Sequence, residues 1–333
     1  MEQQGLDVVA LGELLIDFTD NGPSTQGNPT FECNPGGALC NVLAMLSKLG
    51  HSCSFIGKVG RDMFGTQLRR AAEEAGISMA GLVADPEIHT TLAFVQTLPG
   101  GDRDFSFYRN PGADMALTPE EIPAELLSRA RIFHFGSLSL TDEPVRSATR
   151  RAVAMAREAG ALIFFDPNLR PPLWRSQEEA KEQIAWGLGQ CDVLKISDNE
   201  LLFMTGETDF HRGAVCLKER YPNLRLLCIT AGAGGSYCAY GDMWVHVPGF
   251  CLGGVIETTG AGDTFCACML HDILEYGLEN RTREDLSRML AFANGAAYLV
   301  TTKKGALRVM PTREQVLSLL ASHPLSLTGQ AGE

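Results

Sequence analysis

Short apolar runs alternate with stretches of helical periodicity along most of the chain. Val8–Leu15 reads as a first strand, and Leu39, Val42, Leu43, Met45, Leu46 and Leu49 then recur at helical spacing. Gly50 stands where a helix C-cap belongs. Cys53–Val59 is strand-like, and the helix after it ends at Ala75-Gly76. Arg131–Phe135, Leu162–Phe165, Val193–Ile196 and Leu226–Ile229 are buried-strand candidates, separated by helical patterns at about 144–158, 177–189 and 211–220. Strand–helix–strand repetition predicts a mostly parallel sheet with helices on both faces.

Two segments break the alternation. Asp17–Asn34 is turn-rich, with Gly22-Pro23, Gly27 and Asn28-Pro29. Leu92–Leu98 and Asp104–Tyr108 alternate around Pro99-Gly100-Gly101-Asp102, a hairpin signal. Strands without helices between them do not belong in a parallel sheet, so both segments are assigned to a small second β-layer. An edge decoration of the main sheet is the plainer alternative.

Composition narrows the class. The 333 residues are 45% hydrophobic and 20% charged, which is globular, with no internal repeat or linker. A net charge of −12 argues against nucleic acid as a partner, although local amides and cations can still hold a phosphate. The ten cysteines form no C-x-x-C pair, so they are read as reduced core residues and not as a zinc ribbon or redox motif. The amino end carries Glu2, Asp7, Glu13 and Asp17 with no positive n-region, and no run approaches the ~20 apolar residues of a membrane helix. A cytoplasmic enzyme without a membrane partner is expected.

The sharpest chemical feature is Gly260-Ala261-Gly262-Asp263, opening the apolar helical run Thr264–Leu274. Small residues at a helix start let backbone N–H groups approach an anion, and the helix dipole favours negative charge there. A carboxylate in that turn can accept a proton from an attacking hydroxyl, as phosphoryl transfer requires. The plain alternative is a glycine-rich helix entry with Asp263 as a dipole partner. A Walker A loop is excluded, since Gly57-Lys58 is followed by Val59, and no G-x-G-x-x-G occurs.

Weaker candidates accompany it. Pro35-Gly36-Gly37-Ala38-Leu39-Cys40-Asn41 opens a helix with two glycines that permit ligand contact with the backbone. Asp17 is expected at the carboxyl end of the first strand, where open α/β sheets bind ligands and an acid can accept two sugar hydroxyls. Thr230-Ala231-Gly232-Ala233-Gly234-Gly235 follows a strand and could accommodate a base or ribose. Each also has a purely structural reading as a turn, cap or solvated loop.

In this order, Gly36-Gly37-x-x-x-Asn41, Thr-x-Gly-x-x-Gly at 230–235 and Thr-Gly-Ala-Gly-Asp at 259–263 resemble the ribokinase-like (PfkB) carbohydrate kinases, over about residues 7–317. Within that family the chain is most similar to fructokinases. The likeness is carried by Gly12-Glu13-Leu14-Leu15-Ile16-Asp17, Phe107–Met115, Asp166-Pro167-Asn168-Leu169-Arg170 and Thr302–Ala306.

The resemblance implies a single three-layer α/β/α Rossmann-like (ribokinase-like) domain over 1–333, with a small β-sheet lid from about 17–35 and 92–113. It implies Asp263 as catalytic base, with the amides of Gly260, Ala261 and Gly262 as anion hole. Asp17, Gly36, Gly37, Asn41, Arg109, Asn168 and Arg170 would bind the sugar, with the two arginines closing over substrate or phosphate. Thr230, Gly232, Gly235 and Asn294 would line the adenosine pocket. Mg²⁺ would accompany ATP, with Glu200 in the motif that handles it, and K⁺ would fall near Glu257, Thr259 and Gly305. Lid contacts would make a homodimer. The chain departs from the family pattern at Glu257, usually aspartate, at Ser197, usually asparagine, and at Cys40, usually alanine. D-fructose is the expected acceptor. Because Arg109 and Arg170 could grip a carboxylate, 2-keto-3-deoxygluconate is the alternative, and a catalytically inactive binding homologue is the reading from another class.

Overall fold

The computed structural model describes residues 5–97 and 103–324. Its architecture follows from strands that bury both faces. In β1 (Leu6–Leu11), Val8 and Ala10 enter one apolar cluster while Val9 and Leu11 enter the other. The same split recurs at Phe164 and Phe165, and again at Cys228 and Ile229. A strand apolar on both faces has to be covered twice, and two helical layers do so.

The first layer holds α1 (Ala38–Lys48), α2 (Met63–Glu74), α8 (Ala261–Tyr276), α9 (Arg283–Thr301) and α10 (Arg313–Ser322). The second holds α3 (Ala124–Leu127), α4 (Val145–Glu158), α5 (Gln177–Gln190), α6 (Asp198–Thr205) and α7 (Phe210–Arg220). Between them lies a nine-stranded sheet of order β13-β12-β11-β10-β9-β8-β1-β4-β5. Its further strands are β4 (Cys53–Gly60), β5 (Ser78–Asp85), β8 (Ala130–Gly136), β9 (Leu162–Asp166), β10 (Val193–Ser197), β11 (Leu226–Thr230), β12 (Ser236–Tyr240) and β13 (Met243–Val247). This is the expected three-layer α/β/α arrangement.

The second sheet is present too. Strands β2 (Leu15–Pro23), β3 (Pro29–Gly36), β6 (Leu92–Thr97) and β7 (Arg103–Tyr108) pair in the order β3-β2-β6-β7, with β6 and β7 antiparallel as the hairpin signal predicts. The predicted turn at Pro99–Asp102 lies outside the described residues.

The expected first strand Val8–Leu15 is in fact two. β1 stops at Leu11, and Gly12-Glu13-Leu14 carries the chain out of the main sheet into β2. Asp17 therefore lies within the second sheet, opposite Asn34, and does not close β1. Periodicity alone cannot see this break, because Leu14 and Leu15 are buried like the strand before them.

The rule that helix-free strands leave the main sheet also has an exception. β12 and β13 add to its edge as an antiparallel hairpin, which needs no crossover helix. Their signal is the alternation on both sides of Gly241-Asp242. β5 and α9 are likewise additional to the expected elements. The start of α9 is marked by a capping box in which Thr282 and Asp285 satisfy each other's backbone N–H.

Candidate active site

The parallel strands end on one edge of the main sheet, and β1 has β4 on one side and β8 on the other. Ligands of open α/β sheets bind outside such a reversal of strand order. A cavity of about 730 Å³ opens there. The second sheet walls its far side: Leu15, Asp17 and Thr19, alternate residues of β2, face inward with Val95 and Phe107.

Helix α8 aims its amino end into this cavity. Gly260 caps it with φ 81 and no side-chain hydrogen bond, and a Cβ at that position would lie 2.7 Å from that of Ala306. The amides of Gly262 and Asp263 belong to the first turn, whose N–H groups have no intrahelical acceptor. Ala261 differs, since its N–H turns back to the Thr258 carbonyl at 3.3 Å. Asp263 is held from the other side by Asn41, whose Nδ2 donates to its Oδ2 at 2.8 Å.

Helix α1 points at the same cavity but is capped from a distance. Gly37, with φ 122, has no side chain to offer, and the Glu13 carboxylate accepts the Ala38 N–H at 2.9 Å. The preceding glycine is required for space, because a Cβ on Gly36 would sit 2.2 Å from Asp17 Oδ2. Asp17 and Asn41 thus reach the cavity from different elements, and the Asn41 Oδ1 is buried with no donor among the described residues.

The Asp166–Arg170 segment closes one wall. Asn168 lines the cavity from a left-handed backbone, φ 44, a strained state that asparagine tolerates better than most residues. Glu200 steadies it from behind by accepting the Leu169 N–H at 2.7 Å. The other Glu200 oxygen accepts the N–H and O–H of Ser197 in a capping box. Glu200 therefore stands behind the wall and is not among the cavity-lining residues.

Sequence reasoning passed over Lys195. It lines the cavity, pairs with Asp166 at 3.2 Å, and its Nζ would lie 3.3 Å from a Cβ placed on Gly262. Burial works against its charge, but the Asp166 carboxylate, helped by Cys266 and Glu200, outweighs burial and raises its pKa above the ordinary lysine value. The available signal was a lysine inside the otherwise apolar run Val193-Leu194-Lys195-Ile196, since a buried lysine needs a partner or a task.

The three residues read as an ion site lie together. Glu257, Thr259 and Gly305 all line the cavity, where the Glu257 carboxylate accepts the Thr259 hydroxyl at 2.6 Å and the Gly305 N–H at 2.9 Å. Arg109 requires a correction. It is buried, with Nε on Asp114 at 2.7 Å, Nη1 on Thr141 at 3.0 Å and Nη2 on the Leu138 carbonyl at 3.1 Å. Its fork is spent on internal partners and does not line the cavity.

The four predicted nucleotide residues lie apart from the cavity wall but near one another. Thr230 pairs with Ser197 at the same strand edge. Gly235 packs against Val247–Gly249, and Asn294 donates to the carbonyls of Val247 and Pro248 at 3.0 and 3.2 Å. Gly232 begins the turn between β11 and β12.

Several acids share this small space, and their protons show it. Burial raises Asp263 to about 6 against the pull of Asn41, with Asp166 adding repulsion. Burial raises Asp17 to about 7 despite Arg170, with Glu13, Glu257 and Asp263 repelling its charge. Burial likewise lifts Glu13 to about 7. A carboxyl that binds its proton more tightly folded than unfolded loses stability as pH rises from its unfolded pKa, about 4, to its folded one. Asp17→Asn is therefore expected to raise Tm at pH 8 by about 2–5 °C and to flatten the decline of Tm between about pH 4 and 7. Calorimetry across that range checks it, and an unchanged slope would count against the assigned strain.

The profile of the pfkB family carbohydrate kinases matches residues 6–313. Fructokinase-1 of Zea mays is 43% identical over 315 residues, 94% of this chain and 97% of that protein. Among solved structures, fructokinase with bound ATP from Xylella fastidiosa superposes with a TM-score of 0.86 at 31% identity, covering 95% of this chain and 98% of that one. A fructokinase double mutant from Vibrio cholerae O395, bound to fructose, ADP and potassium ion, gives a TM-score of 0.83 at 28% identity, covering 96% and 100%. A sheet-edge cavity with an acid at a helix amino end and a family match across nearly the whole chain lead to one conclusion: the chain belongs to the pfkB family of carbohydrate kinases.

Proposed function

We propose that this kinase transfers the γ-phosphoryl group of ATP, accompanied by Mg²⁺, to the primary hydroxyl of D-fructose, giving fructose 6-phosphate. The observation that carries the proposal is Asp263, oriented by Asn41 at the amino end of α8, in a chain 43% identical to a fructokinase. Asp263 accepts the hydroxyl proton as the new O–P bond forms and the bond from phosphorus to the β-phosphate oxygen breaks, releasing ADP. The amides of Gly260, Gly262 and Asp263, with the α8 dipole behind them, face the charge on the transferred group. Lys195 adds a fixed cation beneath Gly262.

The sugar is held by Asp17, by the Gly36-Gly37 backbone and by Asn41, whose unpartnered Oδ1 suits a hydroxyl donor. Arg170 and Asn168 complete that wall. The adenosine lies over Thr230, Gly232 and Gly235, with Asn294 securing the Val247–Pro248 backbone beside it. Mg²⁺ would supply charge neutralisation along the phosphates, near Asn199. K⁺ suits the hard oxygens of Glu257 and Thr259, with Gly305 closing the loop through its N–H. The second sheet acts as a lid, presenting Val95 and Phe107 to the cavity and excluding water from the reacting phosphorus.

Keto-acid specificity loses its main support with Arg109, which is committed to Asp114, Thr141 and Leu138. Arg170 alone of that pair lines the cavity. An inactive homologue is disfavoured by an intact base and cradle.

Replacing Asp263 with Asn is expected to lower kcat by roughly 10²–10⁴-fold while sugar and ATP still bind. In the unmutated enzyme kcat/KM should fall on the acid side, with an apparent pKa between about 6 and 7 set by Asp263 and its neighbour Asp17. Near-normal turnover in the variant would remove Asp263 as base.

Acceptor identity is checked by coupled ADP release over fructose, ribose, tagatose and 2-keto-3-deoxygluconate. Fructose should lead in kcat/KM, and preference for the keto-acid that disappears on Arg170→Leu would reject the assignment.

The outer face of the lid supports a homodimer. Phe18 stacks on Phe94 at 4.9 Å, and Phe31 and Tyr108 continue that aromatic face while 43% and 66% exposed. Sedimentation should give a dimer that Phe31→Glu with Tyr108→Glu converts to monomer. A wild-type protein that runs as a 36.0 kDa particle would rule the dimer out.

A further inference from the structure

On the opposite edge of the main sheet, far from the cavity, the turn between α1 and β4 meets the middle of α8. His51 in that turn places Nε2 2.7 Å from Nδ1 of His271, and Glu275 lies one turn further along the helix. One ligand atom from each of the three lies within 4.8 Å of the others. Behind His51, Asp7 Oδ2 stands 3.9 Å from Nδ1. Asp7 is itself fixed, accepting from the Ser52 N–H and O–H at 3.0 and 2.8 Å and from Arg131 at 2.8 Å. None of these groups takes part in the kinase chemistry.

We propose that His51, His271 and Glu275 form a binding site for a divalent cation of the zinc class, with the Asp7 carboxylate behind the His51 ring. Two imidazoles and a carboxylate with one open position are a donor set suited to zinc and poorly suited to Mg²⁺. The i, i+4 spacing of His271 and Glu275 puts both on one helix face. Asp7 stands behind the far nitrogen of His51 at 3.9 Å, beyond hydrogen-bond reach but close enough for its charge to favour a proton there. Two imidazole nitrogens at 2.7 Å face each other through a shared proton. The cation takes the place of that proton, which passes to the outer nitrogen of the ring that carried it so that both ligands bind as neutral imidazoles, and the separation opens to about 3.3 Å, as two nitrogens on a tetrahedral zinc require. Glu275 is exposed, so the ion has a way in. Once bound it clips the α1–β4 turn to α8, the helix whose other end carries Asp263.

The test uses the full-length enzyme, stripped with a chelator and titrated with Zn²⁺ alone against a chromophoric chelator. The wild type should take up one equivalent with a dissociation constant of about 1 μM or tighter, and its Tm should rise with free Zn²⁺ by mass action. The double variant His51→Ala with His271→Ala should weaken that equivalent by about 100-fold and abolish the Tm shift. Glu275→Gln, at an exposed position that leaves folding untouched, should weaken it by about tenfold. Co²⁺ should give visible d–d bands without thiolate charge transfer, which separates this site from the ten cysteines. The proposal fails if the wild type takes up no zinc at that affinity, if the variants keep it unchanged, or if cobalt reports sulfur ligation.

Discussion

The contact on which the site depends is the hydrogen bond from Asn41 to Asp263, made between residues 222 positions apart. Each belongs to a helix whose amino end points into the same cavity, and each helix is otherwise buried along most of its length. The apolar packing of α1 against α8 brings the two ends together, and the hydrogen bond then selects one orientation of the carboxylate. A charge-assisted bond of this kind is worth more in a secluded site than in water. It also draws the Asp263 proton affinity down against the burial that raises it. The same contact thus orients the carboxylate and opposes the effect of burial on its proton.

Around that contact the fold concentrates acids that repel one another. Glu13 is tied to the α1 amide, Asp166 is neutralised by Lys195, and Glu257 is tied to Thr259 and Gly305. Each carboxylate has thus been given a structural partner, and Asp17 is the one whose charge relies chiefly on Arg170 across the cavity. Such crowding costs stability and is typical of sites tuned for chemistry. The core that offsets it is mainly apolar: Phe164 and Phe165 on opposite sheet faces, with Phe265 packed only two residues beyond Asp263.

The second sheet exists because the chain leaves the main one early. Three residues after β1, the backbone has turned into β2, and alternation then divides the labour of its strands. Asp17 and Thr19 face the cavity, while Phe18, on the other face, stacks on Phe94 and meets Phe64 of α2 edge to face. A single structural layer therefore offers the cavity a mixed wall that includes Asp17 and Thr19, and keeps its aromatic residues Phe18 and Phe94 on the other face.

Much of this was legible in the chain itself. Periodicity decides burial, and burial decides which segments become strands and helices, so β8 to β11 and helices α4, α5 and α7 lie where the pattern puts them. The glycine-rich helix entries were legible as motifs, and the fold shows what demands them, since a Cβ on Gly36 or Gly260 would collide with Asp17 or Ala306. Tertiary structure decided whatever depends on partners distant in sequence. The break at Gly12–Leu14 looks like strand because its leucines are as buried as their neighbours. Arg109 looked like a substrate ligand until the fold supplied Asp114, Thr141 and Leu138 to satisfy every face of its guanidinium. Lys195 looked like one charge in an apolar strand until Asp166 and Gly262 were placed beside it. A sequence determines which side chains can do chemistry, but whether a charge is spent or available is settled by what the fold packs against it.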